Sequence, residues 1–298
     1  MVRHMSLLDL PRPLYFVFGG GGSLGAAHVG MLNAVKETGL RPDAVIGTSV
    51  GAVNGVVVAE DPDGAADRLL DIWDHIGRSD IFPGNAAEWL FQLGKSRTHF
   101  YSERGVHHTL NSHLNSRQMS DLTLPFATVA TDFELAIPRI ITEGSIDAAI
   151  EASAAIPAMF PMAEIDGSIL CDGGVVANVP VIQAMELGAR SMVVFDCVGP
   201  MSWGQSNIIE VMAGLGGVVQ QRQRLRNMPV VAEQMPVLYL PPPVTLASPI
   251  SFSHTTELIR NAYHRAVRYF NELDEDAVTN PGFYGEIPRL QKDEHPEL

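Results

Sequence analysis

The chain has 298 residues, 46% of them hydrophobic and 18% charged, the proportions of a globular protein with one substantial core. Its formal net charge of −14 argues against nucleic acid as a partner and against strong attraction to an anionic membrane surface. There is no run of ~20 apolar residues and no signal-type apolar stretch near the start, so a cytoplasmic location is the expectation.

Leu14–Phe18 is a short apolar run that stops at glycines, which predicts a buried strand feeding a loop. Leu24, His28, Met31, Leu32 and Val35 then recur at helical spacing, and Gly39 closes that helix. Ala44–Ile46 reads as a second strand. Residues 49–59 read as a helix apolar nearly all round, hence buried. Pro62 ends it, and Asp63 is the expected cap of a third helix carrying Ala66, Leu69, Leu70 and Trp73.

Residues 79–120 read as a helical and loop insertion, with Ser102 capping a helix that carries Val106, Leu110 and Leu114. Strands resume at Phe126–Ala130 and Arg139–Thr142. Ser145 is placed to cap a helix that ends before Pro157. Further strands are expected at Ile169–Cys171, Ser191–Asp196 and Pro236–Leu240, with helices at Val181–Leu187 and around Ile259–Phe270. This strand–helix alternation implies a mainly parallel sheet covered on both faces. One domain over residues 1–275 is expected, with an acidic, solvated tail at 276–298. Cys171 and Cys197 sit in apolar runs and are expected to be buried free thiols rather than a disulfide or metal ligands.

The sharpest local signal is Gly47-Thr48-Ser49-Val50-Gly51, placed between a strand and a helix. It has the pattern of a nucleophile elbow, in which a tight turn presents the serine hydroxyl at the end of the sheet. The following helix start adds partial positive charge where an oxyanion would form. The run Gly19–Gly25 also lies between strand and helix. Gly20, Gly22 and Gly25 match the spacing of a dinucleotide fingerprint, but the next strand ends at Ile46-Gly47-Thr48-Ser49 without an acid, and Asp43 lies at its wrong end. Bare backbone N–H groups beside a nucleophile instead suit an oxyanion hole. Asp172-Gly173-Gly174, after a strand, is by itself an ordinary turn.

Taken together, these segments resemble the patatin-like phospholipases of bacteria. The resemblance rests on Gly19–Gly25 with Ala26-Ala27-His28-Val29-Gly30, on Gly47–Gly51, on Ala152–Pro161, and on Asp172-Gly173-Gly174 with Asn178-Val179-Pro180, in that order. It spans residues 14–200, about two-thirds of the chain. It implies a three-layer α/β/α sandwich and a serine–aspartate dyad with Ser49 as nucleophile and Asp172 as base. It further implies oxyanion donors at Gly20, Gly21 and Gly22, no cofactor and no metal, and a lipid or fatty acyl ester as substrate. Peripheral contact with a membrane or micelle surface goes with such a substrate. Position 24 departs from the family pattern, with leucine where a basic residue usually stands. That departure motivates a second reading, a catalytically weak regulatory or interaction module.

Two further alternatives stay open at this level. A Ser–His–Asp triad would need one of His28, His107, His108, His113 or His254 as base, and geometry rather than position defines a triad. Ile208, Val211, Met212, Leu215, Val218 and Val219, followed by Arg222, Arg224 and Arg226, form an amphipathic helix expected to pack in the core. A lid or a membrane-facing segment is the alternative.

Overall fold

The computed structural model describes residues 7–81, 112–199, 208–243, 249–274 and 278–287. In chain order these form β1 (Leu14–Phe18), α1 (Ala27–Thr38), β2 (Ala44–Thr48), α2 (Val50–Glu60), α3 (Ala65–His75) and a short α4 (Arg78–Ile81). There follow β3 (Phe126–Asp132), β4 (Ile137–Ile141), α5 (Ile146–Ala154), β5 (Ala163–Ile165), β6 (Ser168–Asp172), α6 (Gly174–Ala177) and α7 (Val181–Glu186). β7 (Ser191–Phe195), α8 (Ile208–Ala232), β8 (Pro236–Leu240), α9 (Thr255–Glu272) and β9 (Gly282–Tyr284) complete the described chain.

Nine strands form one sheet in the order β5-β6-β3-β2-β1-β7-β8-β9, with β4 also paired to β3. From β3 to β9 along that path every pairing is parallel, which places α1, α2 and α8 as crossovers on the sheet faces. The central strands are buried throughout, as a sheet covered on both sides requires. Alternate residues of β1 enter two separate cores. Phe16 and Phe18 pack with α1, α2, α3, α5 and α9 on one face, whereas Tyr15 and Val17 pack with α6, α7 and α8 on the other. The architecture is the three-layer α/β/α sandwich that the family resemblance implies, around the covered parallel sheet expected from the alternation.

The registers around β3 position the site. β4 takes one edge of β3, pairing Thr128–Asp132 with Ile137–Ile141. The opposite edge is shared end to end by β2, which reaches Thr48 opposite Val129, and by antiparallel β6, which reaches Asp172 opposite Ala130. Two strands running toward each other therefore stop on adjacent rungs.

Several local expectations change. The carboxylate that accepts an N–H at the start of α3 is Asp61, from Gly64 at 3.0 Å, while Asp63 pairs with Arg41 on the surface. Ser145 stands at the N-cap of α5 but makes no capping bond. Within the stretch expected as an acidic tail, Val278 is fully buried and β9 extends the sheet beside β8. Leu114 is buried, whereas Ser102, Val106 and Leu110 lie outside the described residues.

The largest difference concerns α8, a single helix of 25 residues. Met228, Val231 and Ala232 in its last third reach the core, but Val211, Leu215, Val218 and Val219 are 44–65% exposed. The reason is length. Arg224 meets Asp196 at the end of β7, so Ile208 lies about 24 Å further along the axis at about 1.5 Å per residue, past the strand ends. The expected core packing of this stretch is thus not found. No described helix is long and apolar enough to cross a membrane.

Candidate active site

Ser49 sits in the turn between β2 and α2 with φ 55° and ψ −127°. A non-glycine residue pays on the order of 1–3 kcal/mol for such a backbone conformation, which persists only where its surroundings over-determine it. Here they do. A methyl group on Gly51 would collide with the Phe18 and Gly19 carbonyls, and one on Gly47 with the Gly51 carbonyl. The turn also leans on α5, where Ser153 Oγ accepts the Ser49 N–H.

Asp172 ends β6 on the rung beside Thr48, near enough to the Ser49 side chain for the serine to draw its pKa down. The Gly174 N–H donates to Asp172 Oδ1 at 2.7 Å. Burial is the dominant influence and pushes the Asp172 carboxyl up to about 6, against the opposing pull of the Ser49 side chain and the Gly174 N–H. The sheet thus brings together two residues 123 positions apart, and the buried carboxylate is a better proton acceptor than one in water.

The glycine loop lies against the same turn, with a Cβ on Gly20 reaching 3.2 Å from Ser49 Cβ. Its three expected donors are not equivalent. The Gly20 N–H already donates to the Asn178 carbonyl at 2.9 Å, so Gly20 anchors the loop in this conformation. Gly21 and Gly22 present amides that meet no backbone acceptor among the described residues. Leu24 is fully buried in the core, a packing role that accounts for an apolar residue there.

Ser49 opens onto an apolar cleft enclosing about 870 Å³ with its open mouth, walled by Val53, Val57, Leu69, Ile72, Phe160 and Phe252. Asn54 is a polar group in this wall, and it is fully satisfied. Its Nδ2 reaches Gly25 O at 2.9 Å and His28 Nδ1 at 3.1 Å, and its Oδ1 accepts from Trp73 Nε1 at 3.0 Å.

Among the described residues neither Ser49 nor Asp172 has a histidine partner. His28 is fully buried edge-on to Phe18, and burial drives its pKa down to about 4, so it is a neutral core side chain. His113 lines the cleft, His254 pairs with Glu257 on the surface, and His107 and His108 lie outside the described residues. Cys171 and Cys197 are buried free thiols, and burial raises Cys171 to about 11.

Two contributors escape a reading of the sequence. Ser153 fixes the Ser49 amide, and Asn178 holds Gly20 through its own carbonyl and, at 3.3 Å, through Nδ2 to Gly20 O. Both lie in segments that carry the resemblance, but a serine inside a helix and an asparagine before Val-Pro have no pattern that announces such a bond.

The chain is 30% identical over 201 residues to patatin-like phospholipase domain-containing protein 7 of Mus musculus, covering 65% of this chain and 14% of that protein. It is 27% identical over 307 residues to patatin-like phospholipase domain-containing protein ZK370.4 of Caenorhabditis elegans, covering 93% of this chain and 22% of that protein. The chain thus spans less than a quarter of the length of these curated relatives. Among solved structures, VipD from Legionella pneumophila matches with a TM-score of 0.46 at 14% identity, over 87% of this chain and 66% of that one. The model of the patatin-like phospholipase family matches residues 16–185, more than half of the chain, a span that holds the glycine loop, the Ser49 turn and Asp172. By that match the chain belongs to the patatin-like phospholipase family.

Proposed function

We propose that the chain is a lipid acyl hydrolase that cleaves fatty acyl esters through an acyl-enzyme on Ser49, with Asp172 as base. The observation that carries this reading is that the sheet ends Asp172 on the rung beside Thr48, next to a strained Ser49 turn that lines an apolar cleft. In the first step Asp172 takes the hydroxyl proton as Ser49 Oγ bonds to the ester carbonyl carbon. The carbonyl electrons move onto oxygen, and the Gly21 and Gly22 N–H groups and the N-terminus of α2 stabilise that charge. The intermediate collapses, the alcohol leaves with the proton, and the acyl group remains on Ser49. Water, deprotonated by Asp172, then releases the fatty acid and restores the serine.

The cleft accounts for an acyl chain rather than a polar substituent, because its walls offer aliphatic and aromatic surface and its one asparagine is already paired. Contact with a micelle or bilayer surface belongs to the same proposal. The exposed apolar residues of α8, and Phe133 and Leu135 of the β3–β4 turn with Ile137 at the start of β4, supply surface for it.

The test is an ester panel, from short nitrophenyl esters to phospholipids in micelles, run on the parent, Ser49→Ala and Asp172→Ala, together with labelling by a fluorophosphonate probe. Hydrolysis and labelling by the parent, both lost in Ser49→Ala, support the reading. A folded parent that leaves the probe unreacted, beside a control hydrolase that reacts, favours the weak interaction module instead.

A further inference from the structure

Phe195–Val198 leaves β7 and runs beneath the glycine loop. The Phe195 carbonyl accepts the Gly19 N–H at 2.9 Å, and the Cys197 thiol donates to Gly20 O at 3.6 Å. Gly21 lies flat on this segment, since a Cβ there would come 2.5 Å from Cys197 Sγ and 2.8 Å from a Val198 methyl group. Any shift of residues 195–198 therefore moves Gly21.

The segment is fixed by the fully buried Asp196. Its carboxylate accepts from Arg224 Nε, from Arg224 Nη2 at 3.2 Å, from the Tyr239 hydroxyl at 2.7 Å and from the Val198 N–H at 3.1 Å. Three separate elements, β7, β8 and α8, converge on one carboxylate. Among the described residues Arg224 is the one buried arginine or lysine, at 4% exposure. Desolvation offsets most of what a buried ion pair gains by attraction, so stability alone is a weak reason for its presence. What such a pair supplies is direction, because the guanidinium fork admits only a narrow range of carboxylate orientations. The loop has no charge of its own at Leu24 to do this.

We infer that Asp196, Arg224 and Tyr239 are positioning residues for the oxyanion loop, holding the floor on which Gly21 and Gly22 present their N–H groups beside Ser49. This rests on the acyl hydrolase reading for its catalytic consequence, and on the contacts alone for its structural one.

The test compares the parent with Tyr239→Phe and with the charge-free double variant Asp196→Asn/Arg224→Met, which leaves no unpaired buried charge. Four quantities are read: melting temperature, kcat and KM on a short nitrophenyl ester, and hydrogen exchange over residues 14–27. In the double variant kcat is expected to fall roughly 10–100-fold with KM within about twofold, a part of the effect of losing an oxyanion donor. Exchange of the loop amides rises about tenfold while that of the other strands is unchanged. Tyr239→Phe moves kcat and loop exchange the same way by about threefold, with the melting temperature lowered by no more than a few degrees.

The inference is overturned if kcat and loop exchange match the parent, or if kcat falls only in step with the folded fraction. Should the double variant fail to fold, Tyr239→Phe decides by the same readouts. A folded parent without esterase activity sinks the acyl hydrolase reading, whereas the exchange measurement still decides whether the cluster holds the loop.

Discussion

Ser153 Oγ bridges the Ser49 turn and the middle of β3: it accepts the Ser49 N–H at 2.9 Å and donates to the Val129 carbonyl at 2.7 Å. One hydroxyl thus ties the strained turn to the strand that also carries the rung of Asp172. Ser153→Ala leaves a buried donor and a buried acceptor unmatched. The expected loss is about 1–3 kcal/mol of stability, read from the urea midpoint. Because Ser49 is then less well held, kcat on a short ester is expected to drop about tenfold with KM little changed.

On the proposed mechanism Asp172 couples activity to pH. The base form is needed for attack, so kcat/KM is expected to rise with pH through about 6, the value to which burial pushes this carboxyl. Stability runs the other way. The folded-state pKa lies above the unfolded value of about 4, so the contribution of this group is fully present below pH 4 and is lost as pH rises through about 6. Asp172→Asn abolishes hydrolysis by about a thousandfold or more, yet its melting temperature relative to the parent is expected to climb between pH 4 and pH 7. A melting difference that is flat across that window refutes the buried-carboxylate account.

Gly22 and Gly51 separate loop function from folding. Gly22 has φ +58° and faces the Pro249 carbonyl at the edge of the cleft, so Gly22→Ala shifts the loop locally. The expected outcome is a folded protein with kcat lowered about 10²–10³-fold, the scale of one lost oxyanion donor. Gly51→Ala drives a methyl group into the Phe18 and Gly19 carbonyls at the heart of the sheet, and loss of soluble folded protein is expected. Circular dichroism and the ester assay distinguish the two.

The two ends of α8 are expected to respond oppositely to truncation. Leu215 is 57% exposed, and Leu215→Ser is expected to change stability by no more than about 0.5 kcal/mol. Met228 is 1% exposed beside Val231 and Tyr239, and Met228→Ala is expected to cost about 2–5 kcal/mol. Chemical denaturation of both variants checks this. A large loss for Leu215→Ser returns that stretch to the core.

Much of this architecture is legible from residue order alone. Period-two and unbroken apolar runs place β1, β2, β3 and β7, and Gly39, at φ +78°, ends α1 as expected. The Gly47–Gly51 turn falls where its spacing puts it. What the sequence leaves dark depends on third partners. A helical apolar stripe, as in α8, states that a face is apolar but not whether a neighbour reaches it. The acidic stretch after residue 271 hides β9, because three strand residues, Gly282–Tyr284, are too few for a period. The engagement of Gly20 by Asn178 follows from contact between segments 158 positions apart, which no local pattern encodes.

The end-to-end meeting of β2 and β6 along β3 has a consequence for how such a protein can diverge. The spacing of hydroxyl and carboxylate is a lattice constant of the backbone ladder, as stiff as the sheet itself. Helices and loops that wall the cleft can lengthen, shorten or be exchanged, and so retune what fits there, without displacing Ser49 from Asp172. The vulnerable direction is along the strand. A slip of β6 by a single residue would bring Cys171 to the rung of Asp172 and turn the acid to the opposite face.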